Sequence, residues 1–218
     1  MKKLLLSVLF SALYVTSASA EFGVNVGVSG NAGIFAATAN EKFESGQTNN
    51  GSEFGSAGWG SIFVEGQFDK FIVGIDYVPQ ALETDTTETS KFDKRTANSD
   101  TPTASTNKIQ IDFEHMTTAY AGFMLGENLY VKAGVTTVEV ITNENLGTGS
   151  AYGNADIDGT MFGVGYNNTF DSGAFIRVEG NYMAFDGTSK TSTADSEKTI
   201  TLKNLNGVTG KVSIGKSF

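Results

Sequence analysis

The sequence predicts an all-β fold: an eight-stranded antiparallel up-and-down barrel that crosses a membrane with its strands. Three observations lead there. Eight segments alternate apolar and polar residues with period two. The connections between them alternate between very short and very long. The chain holds 16 Phe and 7 Tyr but only 2 Pro, with 26 Gly besides, a composition that suits many long strands.

The chain opens with a secretory leader. Met1-Lys2-Lys3 is a basic region, Leu4 to Phe10 an apolar run, and Ala18 and Ala20 an A-x-A-type cleavage site. The apolar run is too short for a transmembrane helix, so cleavage after Ala20 is expected, with one domain over residues 21–218. Without a cysteine there is no disulfide scaffold and no lipid anchor at a cleavage-site cysteine. The formal charge is −9, and removing Lys2 and Lys3 with the leader makes it more negative. With no basic stripe, a nucleic-acid partner is excluded. After Ala20 no run of apolar residues is long enough for a helix to span a bilayer.

The strands follow in order. Phe22–Val28 places Phe22, Val24, Val26 and Val28 on one face and continues toward Ala36, with room for a bulge. Trp59–Phe68 sets Ile62 and Val64 against Ser61, Glu65 and Gln67, with Phe63 on the polar side. Phe71–Tyr77 sets Phe71, Val73, Ile75 and Tyr77 against Gly74 and Asp76. Lys108–Phe123 sets Ile109, Ile111 and Phe113 against Gln110, Asp112 and Glu114. Leu129–Val138 carries Leu129, Val131, Ala133 and Val135 on one face. In Gly159–Tyr166, Phe162, Val164 and Tyr166 alternate with Gly163 and Gly165. In Ala174–Tyr182, Ile176, Val178 and Tyr182 oppose Arg177, Glu179 and Asn181. The last, Gly207–Phe218, has Val208, Val212, Ile214 and Phe218 in its apolar row, interrupted by Gly210 and Lys216.

Asp69-Lys70, the stretch around 125–128 and the stretch around 167–172 read as hairpin turns. The other connections, near 38–57, 79–107, 140–158 and 185–206, read as long polar loops. In an antiparallel meander such alternation puts all turns at one end and all loops at the other.

An antiparallel sheet must hide its apolar face and protect its edges. A soluble sandwich is the rival solution, but here the polar face is rich in glycine, which weakens a solvent-facing strand for no return. Inside a narrow barrel the same glycines make room for long side chains. The polar row Glu65, Asp76, Asp112, Glu114, Lys132, Arg177, Glu179 and Lys211 is therefore expected in the lumen. Eight strands leave an interior just wide enough for side chains. Those charges either pair and plug it or line a narrow water path, and strand stagger decides which. Trp59, Phe68, Phe71, Tyr77, Tyr120, Tyr130, Tyr166, Phe170, Tyr182, Phe185 and Phe218 are candidates for aromatic girdles at the two interfaces.

The pattern resembles the eight-stranded barrels of the OmpA-type and opacity-type porin families of Gram-negative bacteria. Tyr120-Ala-Gly-Phe123 leading through Glu127 to Gly134 looks like a hairpin common there, and Tyr77-Val78-Pro79 like a strand exit into a surface loop. The resemblance covers residues 21–218 and includes no peptidoglycan-binding domain. It implies an outer-membrane location, four surface loops, and contact with membrane lipid and lipopolysaccharide. It also implies biogenesis through periplasmic chaperones and the barrel-assembly machinery. In this chain the C-terminal assembly signal would be Val212, Ile214 and Phe218, with Lys216 interrupting its spacing. A self-closed barrel of this size needs no partner, so a monomer is expected.

No catalytic or cofactor site is expected. The only histidine, His115, continues the Ile109-Ile111-Phe113 row and should face outward, away from Ser61. One histidine and no cysteine argue against a zinc site. Glu83, Asp85 and Glu88, or Asp195 and Glu197, lack the ligand spacing of a calcium loop. The expected role is a structural, membrane-stabilising barrel with acidic loops on display. The alternatives are a narrow porin-like channel for water, ions or very small solutes, and a surface recognition or adhesion protein.

Overall fold

The computed structural model describes residues 22–43, 48–83, 86–93, 101, 103–147, 149 and 151–218; the expected leader and Asp85 lie outside them. Among the described residues eleven strand segments form one antiparallel sheet. They are β1 (Phe22–Phe43), β2 (Thr48–Phe68), β3 (Phe71–Tyr77), β4 (Leu82–Glu83), β5 (Thr87–Asp93), β6 (Thr103–Met124), β7 (Leu129–Leu146), β8 (Ala155–Thr169), β9 (Ala174–Phe185), β10 (Thr188–Thr191) and β11 (Lys198–Ser217). Eight of them run in the order β1-β2-β3-β6-β7-β8-β9-β11, and β11 pairs back onto β1. β4 and β5 add to the upper part of β6, and β10 to the upper part of β11. The chain thus folds as an eight-stranded antiparallel up-and-down barrel.

The closing seam is long. It runs from Asn25↔Ser217 to Phe43↔Lys198. Beyond it, Val24 and Phe218 exchange two backbone hydrogen bonds of 3.0 and 2.9 Å. Closure satisfies the backbone groups that a terminal strand would otherwise expose. At one end the strands are joined by tight turns. Phe68 pairs directly with Phe71 across Asp69-Lys70, where Asp69 takes a left-handed φ of 53°.

At the other end the expected loops are largely strand. β1 and β2 stay paired from Phe22↔Phe68 as far as Lys42↔Thr48, and β6 and β7 as far as Asn107↔Leu146. The far ends of these extensions carry polar residues on both faces, so no apolar period marks them in the sequence.

The outward rows form the apolar belt. Val28, Val64, Phe71, Phe162, Val164, Ile176, Val178, Val212 and Ile214 are all exposed. A water-soluble monomer rarely presents so continuous an apolar surface. Phe22 and Phe68, with centroids 5.4 Å apart, and Phe71 and Phe123, 5.2 Å apart, pack around the turn end. Phe170 and Phe218 are exposed at the same end. Four girdle candidates do not belong to the outer surface. Tyr120 and Tyr130 are buried in the lumen, and Trp59 and Phe185 pack against the buried core.

Candidate functional site

The lumen has two layers, and parity along each strand decides which residues enter them. Nearer the turns lies a charged layer. β2 contributes Ser61 and Glu65, β3 contributes Asp76, β7 contributes Tyr130 and Lys132, β9 contributes Arg177 and Glu179, and β11 contributes Lys211. β6 adds Tyr120 and β1 adds Asn25. Most of these side chains are nearly inaccessible; Glu65 is 1 % exposed, Arg177 3 % and Glu179 4 %.

The charges pair across the barrel rather than along its wall. The Arg177 guanidinium donates to both oxygens of Glu65, at 2.6 and 2.8 Å. Glu65 also accepts from Tyr120 Oη at 2.6 Å and from Asn25 Nδ2 at 3.4 Å. Lys132 donates to Glu179 at 2.6 Å, and Tyr130 Oη donates to the other oxygen of Glu179. Arg177 lies 3.9 Å from Glu179, which links the two pairs. Lys211 binds Asp76, which also accepts from Ser61 Oγ at 3.2 Å. Aromatic rings complete the packing, with the Arg177 guanidinium 5.1–5.3 Å from the ring centres of Tyr130, Phe175 and Phe63. A buried charge is tolerable only when paired and hydrogen-bonded, and each of these six is.

Small residues make the fit possible. A Cβ at Gly74 would come within 2.8 Å of both Glu65 Cγ and Tyr120 Oη. A Cβ at Gly165 would overlap Cζ, Oη and Cε1 of Tyr130. The glycines of the polar face are therefore cut to the side chains opposite them.

The second layer, toward the loop end, is apolar. Met116, Val138, Val140, Ala155, Ile157, Met161 and Met183 are buried there, with Phe35, Trp59, Ile111, Phe113, Phe185 and Leu202 packed against them. An interior polar throughout was expected. Val138, Val140, Ala155, Ile157, Met161 and Met183 enter by the unbroken parity of β7, β8 and β9, while the contribution of β6 has a local cause. Between Glu114 and Thr117 the β6–β7 register slips by one residue, with His115 at φ 54°. A one-residue bulge exchanges the faces of everything beyond it. Below it Met116, Thr118 and Tyr120 point inward. Above it Ile111 and Phe113 turn inward, while Asp112 and Glu114 turn out. Those two carboxylates, expected in the lumen, thus stand on the outer wall. Asp112 accepts from Asn143 Nδ2 at 2.7 Å, and Glu114 faces Glu139.

Between the layers is a cavity of about 40 Å³ lined by Asn31, Trp59, Asp76, Lys132, Asn181 and Lys211 among others. It has room for a very few water molecules. Asn181 Oδ1, which borders it, is the one buried side-chain polar atom without a hydrogen-bond partner among the described residues.

At the loop end the segment around Tyr152 packs inward against β1 and β7. Tyr152, 7 % exposed, donates its hydroxyl to Glu41 of β1 at 2.5 Å and its backbone N–H to Glu144 of β7. Burial pushes the Glu144 carboxyl above its ordinary range, partly offset by the backbone N–H groups of Tyr152 and Gly153. Thr193 N–H binds the Ala151 carbonyl at 2.7 Å, tying this segment to the one before β11.

Tyr120, Tyr130 and Asn25 belong to the charged layer although sequence reasoning did not assign them to it. The signal for Tyr130 was present: it lies two residues before Lys132, on the same face. Among the assembly-signal residues, Val212 and Ile214 are exposed on the outer wall and Phe218 is exposed beside the turn end. Lys216 donates to the Ser172 carbonyl of the neighbouring turn.

No family model matches this chain, and no curated protein matches it. Solved structures do. The outer membrane protein OprG from Pseudomonas aeruginosa superposes with a TM-score of 0.62 at 12 % identity, over 91 % of this chain and 97 % of OprG. The outer membrane protease OmpT from Escherichia coli gives 0.45 at 9 % identity, over 94 % and 99 %. Ail, the attachment invasion locus protein of Yersinia pestis, gives 0.38 at 11 % identity, over 88 % and 99 %. The similarity to OprG is one of fold.

Proposed function

We propose that this chain is an integral barrel of a Gram-negative outer membrane whose role is structural: a closed, non-conducting stave that stabilises the bilayer and displays long strand extensions outside it. The observation that carries this reading is the filled lumen. Three acids and three bases neutralise one another across it, and an apolar layer lies above them. An ion in transit would have to break a buried pair and then cross side chains that cannot solvate it. The apolar outer belt and the OprG-like fold support the membrane setting.

Two finer elements belong to the same proposal. Kinship with the OmpA-like and opacity-like barrels rests on the order and spacing of the sequence motifs. Recognition by the barrel-assembly machinery through Val212, Ile214 and Phe218 rests on their exposed row on the last strand. The non-enzymatic reading is supported by His115, which lies outside the lumen against Glu114 and Glu139.

The test is conductance of the leaderless protein, refolded in detergent and inserted in a planar bilayer. A silent membrane with protein in it, judged by heat-modifiable gel mobility of the same sample, is expected. Steady, reproducible steps would overturn the closed reading in favour of a narrow channel. Failure to insert would overturn the membrane assignment.

A further inference from the structure

The β6 bulge gathers a second cluster, on the outer wall, that the closed lumen does not use. Glu114 stands directly opposite Glu139 of β7, and Glu139 directly opposite Asp156 of β8. Like charges facing one another across strands destabilise the pairing, so this rung costs the sheet unless a cation offsets it. His115 projects at the same place. Its Nδ1 lies 3.5 Å from Glu139 Oε2 and 3.8 Å from Glu114 Oε2.

At those separations neither carboxylate makes a well-formed hydrogen bond to the imidazole, for which N···O is usually about 2.7–3.2 Å. They are close to another spacing. Ligand atoms placed about 2.0–2.1 Å from a tetrahedral zinc ion stand roughly 3.3 Å apart. One ligand atom from each of Glu114, His115 and Glu139 falls within 4.8 Å of the others. An imidazole beside two carboxylates is the donor set of a borderline first-row ion, whereas calcium and magnesium prefer oxygen alone. His115 is 63 % exposed in its side chain and the two glutamates a little over a third, so an ion has an entry path and water can fill the remaining position.

We propose that Glu114, His115 and Glu139 form a binding site for zinc or a similar divalent ion on the outer wall of the barrel. The ion bridges β6 and β7 across the bulge and neutralises the acidic rung. In the sequence a lone histidine argues against zinc, and the site is hidden because Glu139 lies 24 positions beyond His115 and the slip is what sets Glu114 opposite Glu139 with His115 beside it. The inference stands whether or not the lumen conducts.

Titration calorimetry of the tag-free refolded protein, with zinc chloride and separately with calcium chloride, tests it. One zinc per chain is expected. His115→Ala and Glu139→Gln should each weaken binding at least about tenfold, while Glu88→Gln, in the β5–β6 extension, changes nothing. Heat-modifiable mobility shows that each variant is folded. His115→Ala removes an exposed side chain, so it remains informative if Glu139→Gln does not fold. Absence of zinc binding at millimolar concentration overturns the proposal. So does binding that is indifferent to His115→Ala, or calcium binding as tight as zinc binding, since either would mean unspecific attraction to acidic groups.

Discussion

Arg177 is held between three aromatic rings while both its terminal nitrogens face Glu65. Removing the cation alone leaves Glu65 charged, buried and short of partners. Arg177→Met should therefore cost about 3–5 kcal/mol, read as a lower transition in heat-modifiable mobility or in urea. Adding Glu65→Gln to that variant removes the orphaned charge and should recover much of the loss. If the double variant is no better than the single, the pair is not the source of the effect. The same scale shows what the sequence could tell. Glu65, Asp76, Lys132, Arg177, Glu179 and Lys211 were placed in the lumen by parity alone, since each shares a face with glycines and opposes an apolar row. Which acid met which base was not legible, because Glu65 and Arg177 lie on strands from opposite halves of the chain and meet only through the shape of the closed ring. Gly165 is a second case. Its Cβ would clash with the tip of the Tyr130 ring, so Gly165→Val should overpack the layer by about 1–3 kcal/mol. Tyr130→Phe, which keeps the ring, should not relieve that cost, and Tyr130→Ala should relieve the clash; denaturant midpoints of the three double and single variants decide.

At the scale of the strand, β6 carries the information that parity missed. Its sequence alternates without a break from Ile109 through Glu114, and nothing in that alternation announces that His115 will take a left-handed φ. Histidine tolerates that region better than β-branched residues do, which permits the bulge but does not demand it. The consequence on β6 is that Ile111 and Phe113 join Met116 inside instead of opposing it, adding to an apolar layer that β7, β8 and β9 build by unbroken parity. The chain has no cysteine, so single introduced thiols report each face. Asp112→Cys should react quickly with a water-soluble maleimide in the folded protein and Ile111→Cys slowly. Deleting His115 removes the extra residue and leaves Ile111 and Asp112 on the same faces, so the two rates should keep their order; an exchange would mean that His115 is not the bulged residue. Equal rates in the parent protein would remove the bulge from the account. The strand extensions beyond the bulge were read as loops for the opposite reason. Thr48 to Ser52 on β2 and Thr103 to Thr106 on β6 have polar residues on both faces, so hydrophobic period, the signal that separates strand from loop, has nothing to act on there.

For the whole molecule the decisive feature is that β1 and β11, almost two hundred residues apart, are neighbours. A sandwich with the same eight alternating segments would leave each of them at an edge or in separate sheets, and alternation alone does not distinguish the two. The uneven connections and the crowded, glycine-rich polar face did so in the sequence, because only a narrow closed interior has use for both. The seam offers a direct test. Ser29 and Ser213 are cross-strand partners pointing into the lumen, with their Oγ atoms 2.9 Å apart. They belong to the pairs that alternate with the hydrogen-bonded Val24–Phe218 pair, where side chains approach most closely. Cysteines there meet the geometric needs of a disulfide without moving the backbone. Ser29→Cys combined with Ser213→Cys should cross-link in nearly every molecule refolded with an oxidant, giving a compact, reductant-sensitive band after full denaturation, and neither single variant should. The bond closes a loop of most of the chain, so it should also raise resistance to denaturant by about 5 kcal/mol on chain-entropy grounds. An absent cross-link in protein that still shows heat-modifiable mobility would mean that the ring does not close at this seam, and the sealed lumen would fall with it.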